Sequence, residues 1–246
     1  MGSPMIKLDE EIIQSTLCRN CSVSKRCLLF RFFDETPFSS YVELNSFKLK
    51  KNDILLNEFE PAKYTGVVCR GMLKEYKIHK SGQFLTTRIL TPGDIFGYES
   101  CLLGTTYQIN LRAIRSSVVI KFPFVEFQQL LKHERKEELK YHIQQYLTNE
   151  HQFYQEQALC IAYDTARDKI IGALKYLYYK QNKSRFHEPE TIILPRQEIA
   201  ELTSLTKETV VRELKKLERN EYLKLSRDSI TLLSPILKED STELSL

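Results

Sequence analysis

The stretch Pro195-Arg196-Gln197-Glu198-Ile199-Ala200-Glu201-Leu202-Thr203-Ser204-Leu205-Thr206-Lys207-Glu208-Thr209-Val210-Val211-Arg212-Glu213-Leu214-Lys215-Lys216-Leu217-Glu218-Arg219 decides the fold. Pro195 sits where a helix accepts proline, at a first turn. Arg196 to Leu202 reads as a short helix, and Thr203-Ser204-Leu205 as a tight connection. Thr206 is a good N-cap for a second helix running to about Arg219. On that second helix Val210, Leu214 and Leu217 share one face, while Glu208, Val211, Arg212 and Lys215 share the other. The pattern is a helix-turn-helix. Its outward face offers a carboxylate that can accept from cytosine N4 and a guanidinium fork that matches guanine O6 and N7. The competing reading is a two-helix corner with solvated charges. Against it stands the next segment: Tyr222-Leu223-Lys224-Leu225, a turn at Arg227-Asp228-Ser229, and Ile230-Thr231-Leu232-Leu233 form a hairpin, the wing of a winged helix.

Working backwards, Ala166 to Tyr179 reads as an amphipathic helix and Gln181 to Pro189 as a polar loop. From Phe124 to about Tyr163 glycine and proline are absent and Glu, Lys and Gln dominate, so a long helix is expected. Within it Leu139, Ile143, Tyr146, Glu150, Phe153, Gln157 and Cys160 follow alternating steps of four and three. That is a heptad seam and predicts a homodimer, the alternative being a helix packed on its own chain. Repulsion between carboxylates such as Glu150 across a two-fold axis would then tune the monomer–dimer balance.

Between about Tyr41 and Phe124 the chain reads as short strands: Phe47 to Leu49, Asp53 to Leu56, Tyr64 to Arg70, Met72 to His79 and Phe84 to Leu90. Turn signals lie at Lys80-Ser81-Gly82 and Pro92-Gly93-Asp94. Such spacing predicts a β-barrel or jelly roll. The expected class is therefore α+β, in four parts: a cysteine-rich segment (1–35), a β-barrel effector domain (36–124), a dimerisation helix region (125–163) and a winged helix-turn-helix domain (164–246). Met1 to Pro4, ahead of Met5, read as an expression remnant and are set aside from the fold reading.

The first part carries Cys18-Arg19-Asn20-Cys21-Ser22-Val23-Ser24-Lys25-Arg26-Cys27, three of the chain's six cysteines in the spacing C-x2-C-x5-C. Thiolates suit iron–sulfur clusters and zinc. In a 246-residue chain with 42% apolar and 28% charged residues, cysteines favour metal or redox use over a disulfide framework. No apolar run approaches the ~18 residues of a membrane span, and no secretory signal is visible, so a cytoplasmic protein is expected. A net charge of +4 permits a nucleic-acid partner without implying one. His79, His133, His142, His151 and His187 are scattered. No Gly-rich nucleotide loop or Ser/His/Asp grouping appears, so an enzyme is not expected.

The order of cysteine head, barrel, dimer helix and winged helix resembles the Crp/Fnr superfamily of bacterial transcription regulators, over about Cys18 to Leu233. The cysteine spacing is similar to that of its oxygen-responsive Fnr-type members. Gly93-Asp94-Ile95-Phe96-Gly97 resembles a barrel turn of the family, and Thr206 to Arg212 resembles its recognition helix, in which Glu and Arg four apart read a TGA core. The resemblance implies a [4Fe–4S] cluster lost on exposure to oxygen. It also implies a homodimer on double-stranded DNA with inverted-repeat, TGA-like half-sites, RNA polymerase as a partner, and Lys207, Glu208, Val211, Arg212 and Lys215 at the DNA. A zinc or thiol-redox head, or a small effector in the barrel, remains the alternative.

The chain departs from the family pattern in three places. Ile120 stands where the family's fourth cysteine lies, which leaves Cys101 as the candidate fourth ligand beside Cys18, Cys21 and Cys27, with Glu99, a histidine or a three-cysteine site behind it. Cys69 and Cys160 read as structural. Tyr107 stands where cyclic-nucleotide-binding relatives hold a phosphate with Arg, so a cyclic-nucleotide effector is not expected. Val211 and Lys207 replace Ser and Val of Fnr-type helices, which predicts outer bases different from the Fnr site. Ser204, where the family's turn often has Gly, is expected to carry a positive φ.

Overall fold

The computed structural model describes residues 11–12, 21, 27, 45–125, 136–182 and 191–234. Cys18, Leu28 to Phe33, residues 126–135, the side chain of Leu139 and most of the 181–189 loop lie outside them. The chain divides into two compact units, residues 1–75 with 90–143 and residues 76–89 with 144–246.

Among the described residues nine strands build two sheets ahead of the long helix. β1 (Glu11–Ile12), β2 (Asn45–Leu49), β9 (Ser117–Pro123), β4 (Tyr64–Arg70) and β7 (Ile95–Phe96) form one, in the order β1-β2-β9-β4-β7. β3 (Ile54–Leu56), β8 (Asn110–Ala113), β5 (Leu73–Ile78) and β6 (Phe84–Leu90) form the other, in the order β3-β8-β5-β6. The expected strands are present, and of the two expected architectures, barrel or jelly roll, they form the second, a jelly-roll-like pair of sheets. β2 and β4 flank β9 antiparallel, with Phe47 opposite Val119 and Val67 opposite Ile120. Leu49, Leu56, Val68, Leu73, Leu90, Phe96, Leu111 and Val119 make the core of the first unit. Burying each aliphatic side chain of this size contributes about 1.5–3 kcal/mol.

The Gly93–Gly97 stretch is a turn closed by its own aspartate. Asp94 Oδ2 accepts from Thr91 N at 2.8 Å and from Thr91 Oγ1 at 3.0 Å. Gly97 follows at φ 75°, and a Cβ there would lie 2.9 Å from Tyr64 O, so glycine is required. It starts α1 (Tyr98–Leu103), a short helix that no sequence reading anticipated. Turn signals and strand-like composition hid it between Pro92 and Thr106.

The long helix, α2, is described over Lys136–Tyr163 and is followed by α3 (Ala166–Asn182), close to expectation. In the second unit α4 (Arg196–Thr203) and α5 (Lys207–Arg219) form the helix-turn-helix. The expected wing hairpin is present as β11 (Leu223–Leu225) and β12 (Ile230–Leu232), and an unexpected third strand, β10 (Thr191–Ile192), adds to it in the order β10-β12-β11. A two-residue strand after a polar loop has no periodicity to announce it.

Candidate functional site

α5 begins as the sequence predicts. Thr206 is extended at its N-cap, and its Oγ1 accepts from Thr209 N at 3.2 Å, satisfying one of the helix's orphan amides. Ser204 carries φ 56°, the expected left-handed turn between α4 and α5, closed by Leu205 N donating to Ala200 O at 3.1 Å. Val210, Leu214 and Leu217 are buried against the rest of the unit. Lys207, Glu208, Arg212 and Lys215 are exposed, and Val211 is half-buried beside them. Those five side chains therefore share one outward stripe.

Three contacts brace that stripe. Glu218 Oε1 accepts from Leu225 N at 2.7 Å, tying α5 to the wing. Arg196, at the start of α4, donates through Nη2 to Ser226 O at 2.7 Å and to Ser229 O at 3.1 Å, pinning the wing's turn. Arg167 of α3 lies over the Tyr222 ring at 5.8 Å. Neither Arg196 nor Glu218 stood out in the sequence. A basic residue one step into a short helix looks like any solvated charge until its carbonyl partners are placed.

The heptad residues of α2 lie otherwise than the seam reading expected. Tyr146 Oη accepts from Arg88 Nη1 at 3.1 Å, and Glu150 forms an ion pair with the same guanidinium. Phe153 stacks on Tyr176 with ring centroids 4.5 Å apart, and Gln157 Nε2 donates to Thr86 O at 3.2 Å. Tyr176 Oη in turn exchanges hydrogen bonds with Ile89 N (3.1 Å) and Ile89 O (3.4 Å). Tyr146, Glu150, Phe153 and Gln157 are thus engaged within their own chain, and Ile143 is half-buried. Arg88 is 2% exposed and Glu150 13%. The carboxylate is compensated at home, so it does not supply the uncompensated seam charge that would drive repulsion. The face two residues further on, with Tyr141, Thr148, Gln155 and Leu159, is exposed.

Of the cysteines, Cys21 is half-buried and Cys27 buried. Cys101, on α1, is 5% exposed, and its Sγ donates to Ala62 O and Tyr64 O, each at 3.5 Å. Burial, with Glu99 nearby, pushes its pKa up to about 11, so it is a protonated thiol at neutral pH. A cluster ligand must be a thiolate. The trio has the donor chemistry of a soft-metal site, and for Cys101 to join it the thiol would have to give up its proton and its two carbonyl contacts. Among the described residues no three His, Cys, Asp or Glu side chains converge on a metal-sized site. Cys160, half-buried on α2, is likewise raised to about 11, by burial and by Asp164.

Tyr107 is buried and internally satisfied. Its Oη donates to Tyr64 O at 2.7 Å and accepts from Tyr64 N at 3.1 Å, and burial raises its pKa to about 12. It offers no cation to a phosphate.

Comparison with known proteins agrees with this geometry. The family model for the cyclic nucleotide-binding domain matches residues 46–134, and that for the Crp-like helix-turn-helix domain matches residues 169–235. The chain is 23% identical to the regulatory protein HlyX of Actinobacillus pleuropneumoniae, over 87% of this chain and 89% of that one. It is also 23% identical to the fumarate and nitrate reduction regulatory protein of Vibrio cholerae, over 88% and 86%. Among solved structures, FixK2 from Bradyrhizobium japonicum superposes with a TM-score of 0.68 at 21% identity, covering 83% of this chain and 96% of that one. Among the described residues no helix is long and apolar enough to cross a membrane. With two sheets ahead of a winged helix-turn-helix whose charged stripe faces outward, the chain belongs to the Crp/Fnr family of DNA-binding transcription regulators.

Proposed function

We propose that this regulator reads an inverted repeat with TGA-like half-sites and that its DNA binding answers to oxygen or redox state through the cysteine trio. The observation that carries the first half is the α5 stripe, with Glu208 and Arg212 exposed one helical turn apart over a buried Val210–Leu214–Leu217 face. A glutamate accepts from cytosine N4, and an arginine fork donates to guanine O6 and N7. Val211, beside them, would meet a thymine methyl. Two such helices require a dimer, whose half-site spacing follows from its two-fold axis. The exposed α2 face with Tyr141, Thr148, Gln155 and Leu159 is the surface offered to a second copy. RNA polymerase is the expected partner of the DNA-bound dimer.

The second half rests on the donor set of Cys18, Cys21 and Cys27. A [4Fe–4S] cluster would supply oxygen-sensitive chemistry there, and zinc or free thiols would supply metal or oxidant sensitivity instead. Cys101 would complete the site only by giving up its two carbonyl contacts; otherwise the site falls to three thiolates or to another side chain. What the chain itself contributes is access: Cys21 is partly open to solvent while Cys27 is buried.

Selection from a random DNA pool tests the DNA half. The expected product is a palindrome with TGA-like halves whose outer bases differ from the Fnr site; recovery of no palindrome overturns it.

A further inference from the structure

The inward face of α5 contains one residue that its periodicity does not explain. Val210, Glu213, Leu214 and Leu217 are all buried, and three of them are aliphatic. Glu213 is only 9% exposed, yet its Oε1 takes a hydrogen bond from Lys216 Nζ at 2.8 Å and from Arg212 Nε at 3.3 Å. Arg212 itself is 63% exposed. The carboxylate is anchored at the edge of the core and reaches outward to two exposed cations, of which Arg212 belongs to the outward stripe. Those hydrogen bonds, that from Lys216 foremost, hold its pKa below the usual carboxylate range.

We propose that Glu213 is a positioning residue for sequence reading: it grips Arg212 by Nε and so aims the free end of the guanidinium at the bases. This rests on the assignment of Arg212 to a base edge. A guanidinium has five N–H donors, and engaging the one on Nε leaves the two Nη groups as a planar pair. That pair matches guanine O6 and N7 end-on. An unheld arginine carries large rotamer entropy and reaches neighbouring phosphates as readily as a base. The same carboxylate offsets the charge of Lys216, which lowers attraction to phosphates of any sequence. Both effects act in one direction, raising the ratio of specific to non-specific binding.

Two substitutions separate the effects. Glu213→Gln removes the charge and keeps an acceptor; Glu213→Leu removes both and suits the neighbouring aliphatic face. Binding of the full-length protein, in its DNA-binding state, is measured on three duplexes. One carries the selected palindrome, one differs at the base pair that Arg212→Ala relaxes, and one is unrelated. Both variants should bind the unrelated duplex severalfold tighter, to a similar degree. Discrimination at the altered base pair should fall on the order of threefold to tenfold in Glu213→Leu and less in Glu213→Gln. In an Arg212→Ala background Glu213→Leu should leave discrimination unchanged. Equal discrimination by wild type and both variants overturns the positioning role, even if overall affinity shifts or the fold is weakened. An Arg212→Ala variant that relaxes no base pair removes the underlying assignment, and the proposal with it.

Discussion

The two helices that carry the output, α2 and α5, bury opposite kinds of face. α5 turns Val210, Leu214 and Leu217 inward and its charges outward. α2 turns Tyr146, Glu150 and Gln157 toward polar partners on β6, and leaves Tyr141 and Leu159 exposed. Both carry heptad-like spacing. The spacing located a face in each case, but only in α5 did the chemistry say what that face meets. A seam of mixed polarity fits a partner helix and a strand of the same chain equally well, until Arg88 is seen opposite Glu150.

The largest effect that sharpens this contrast belongs to Glu150. Removing one member of a buried ion pair strands the other, so Glu150→Ala should destabilise the chain by about 3–5 kcal/mol, with Arg88 left uncompensated. The double variant Arg88→Met/Glu150→Leu should recover most of that loss. Urea denaturation at neutral pH measures both, and a cost below about 1 kcal/mol for Glu150→Ala would place the pair in solvent-like surroundings. On α5 the corresponding charge is the one proposed to work on DNA instead of on stability. Arg212→Ala should cost about 1–3 kcal/mol of specific binding and relax one base position, with little change in the denaturation midpoint. A uniform loss on all sequences would make Arg212 a phosphate contact.

Smaller again is the loss of the α5 cap. Thr206→Ala removes the acceptor for Thr209 N and should cost about 1 kcal/mol, read as a shift in urea midpoint. The last effect lies in the first unit. Cys101 keeps its proton in the folded state up to about pH 11 against an ordinary value of 9.0. The unfolded chain therefore releases that proton first as pH rises. The stability Cys101 contributes is complete below pH 9 and is lost progressively between 9 and 11. Melting curves across that range should fall, and Cys101→Ala should flatten the fall. An identical slope in the variant would mean that the thiol is ionised earlier, as a ligand would be.

Legibility in the sequence followed the range of the interactions concerned. Thr206 as a cap, Ser204 as a left-handed turn residue and the three aliphatics of α5 are local features, determined within a few residues, and the chain shows them openly. The strands from Phe47 to Leu90 were legible for the same reason, their turns being marked by glycine and proline. The pairing of the two sheets and β10 were not, because each depends on partners tens of residues away, and α1 was hidden by the turn signals around it. The outward stripe of α5 was legible as an exposed face, and what lies beneath it was not. Glu213 lies where periodicity expects an aliphatic residue, and its flanking Arg212 and Lys216 were the available signal. Cys101 was selected because it was a cysteine near the right turn. Only its carbonyl partners, on residues 62 and 64, show that it is held as a thiol.

The most direct test of the account joins the two ends of the chain. The protein is purified without oxygen and assayed for iron and acid-labile sulfide. Its Kd for the selected palindrome is then measured before and after exposure to air, beside a Cys21→Ser variant. The account predicts iron and sulfide in the wild type, binding that weakens in air, and a variant whose binding no longer responds. Iron-free, colourless protein that binds the palindrome equally well before and after air would contradict it.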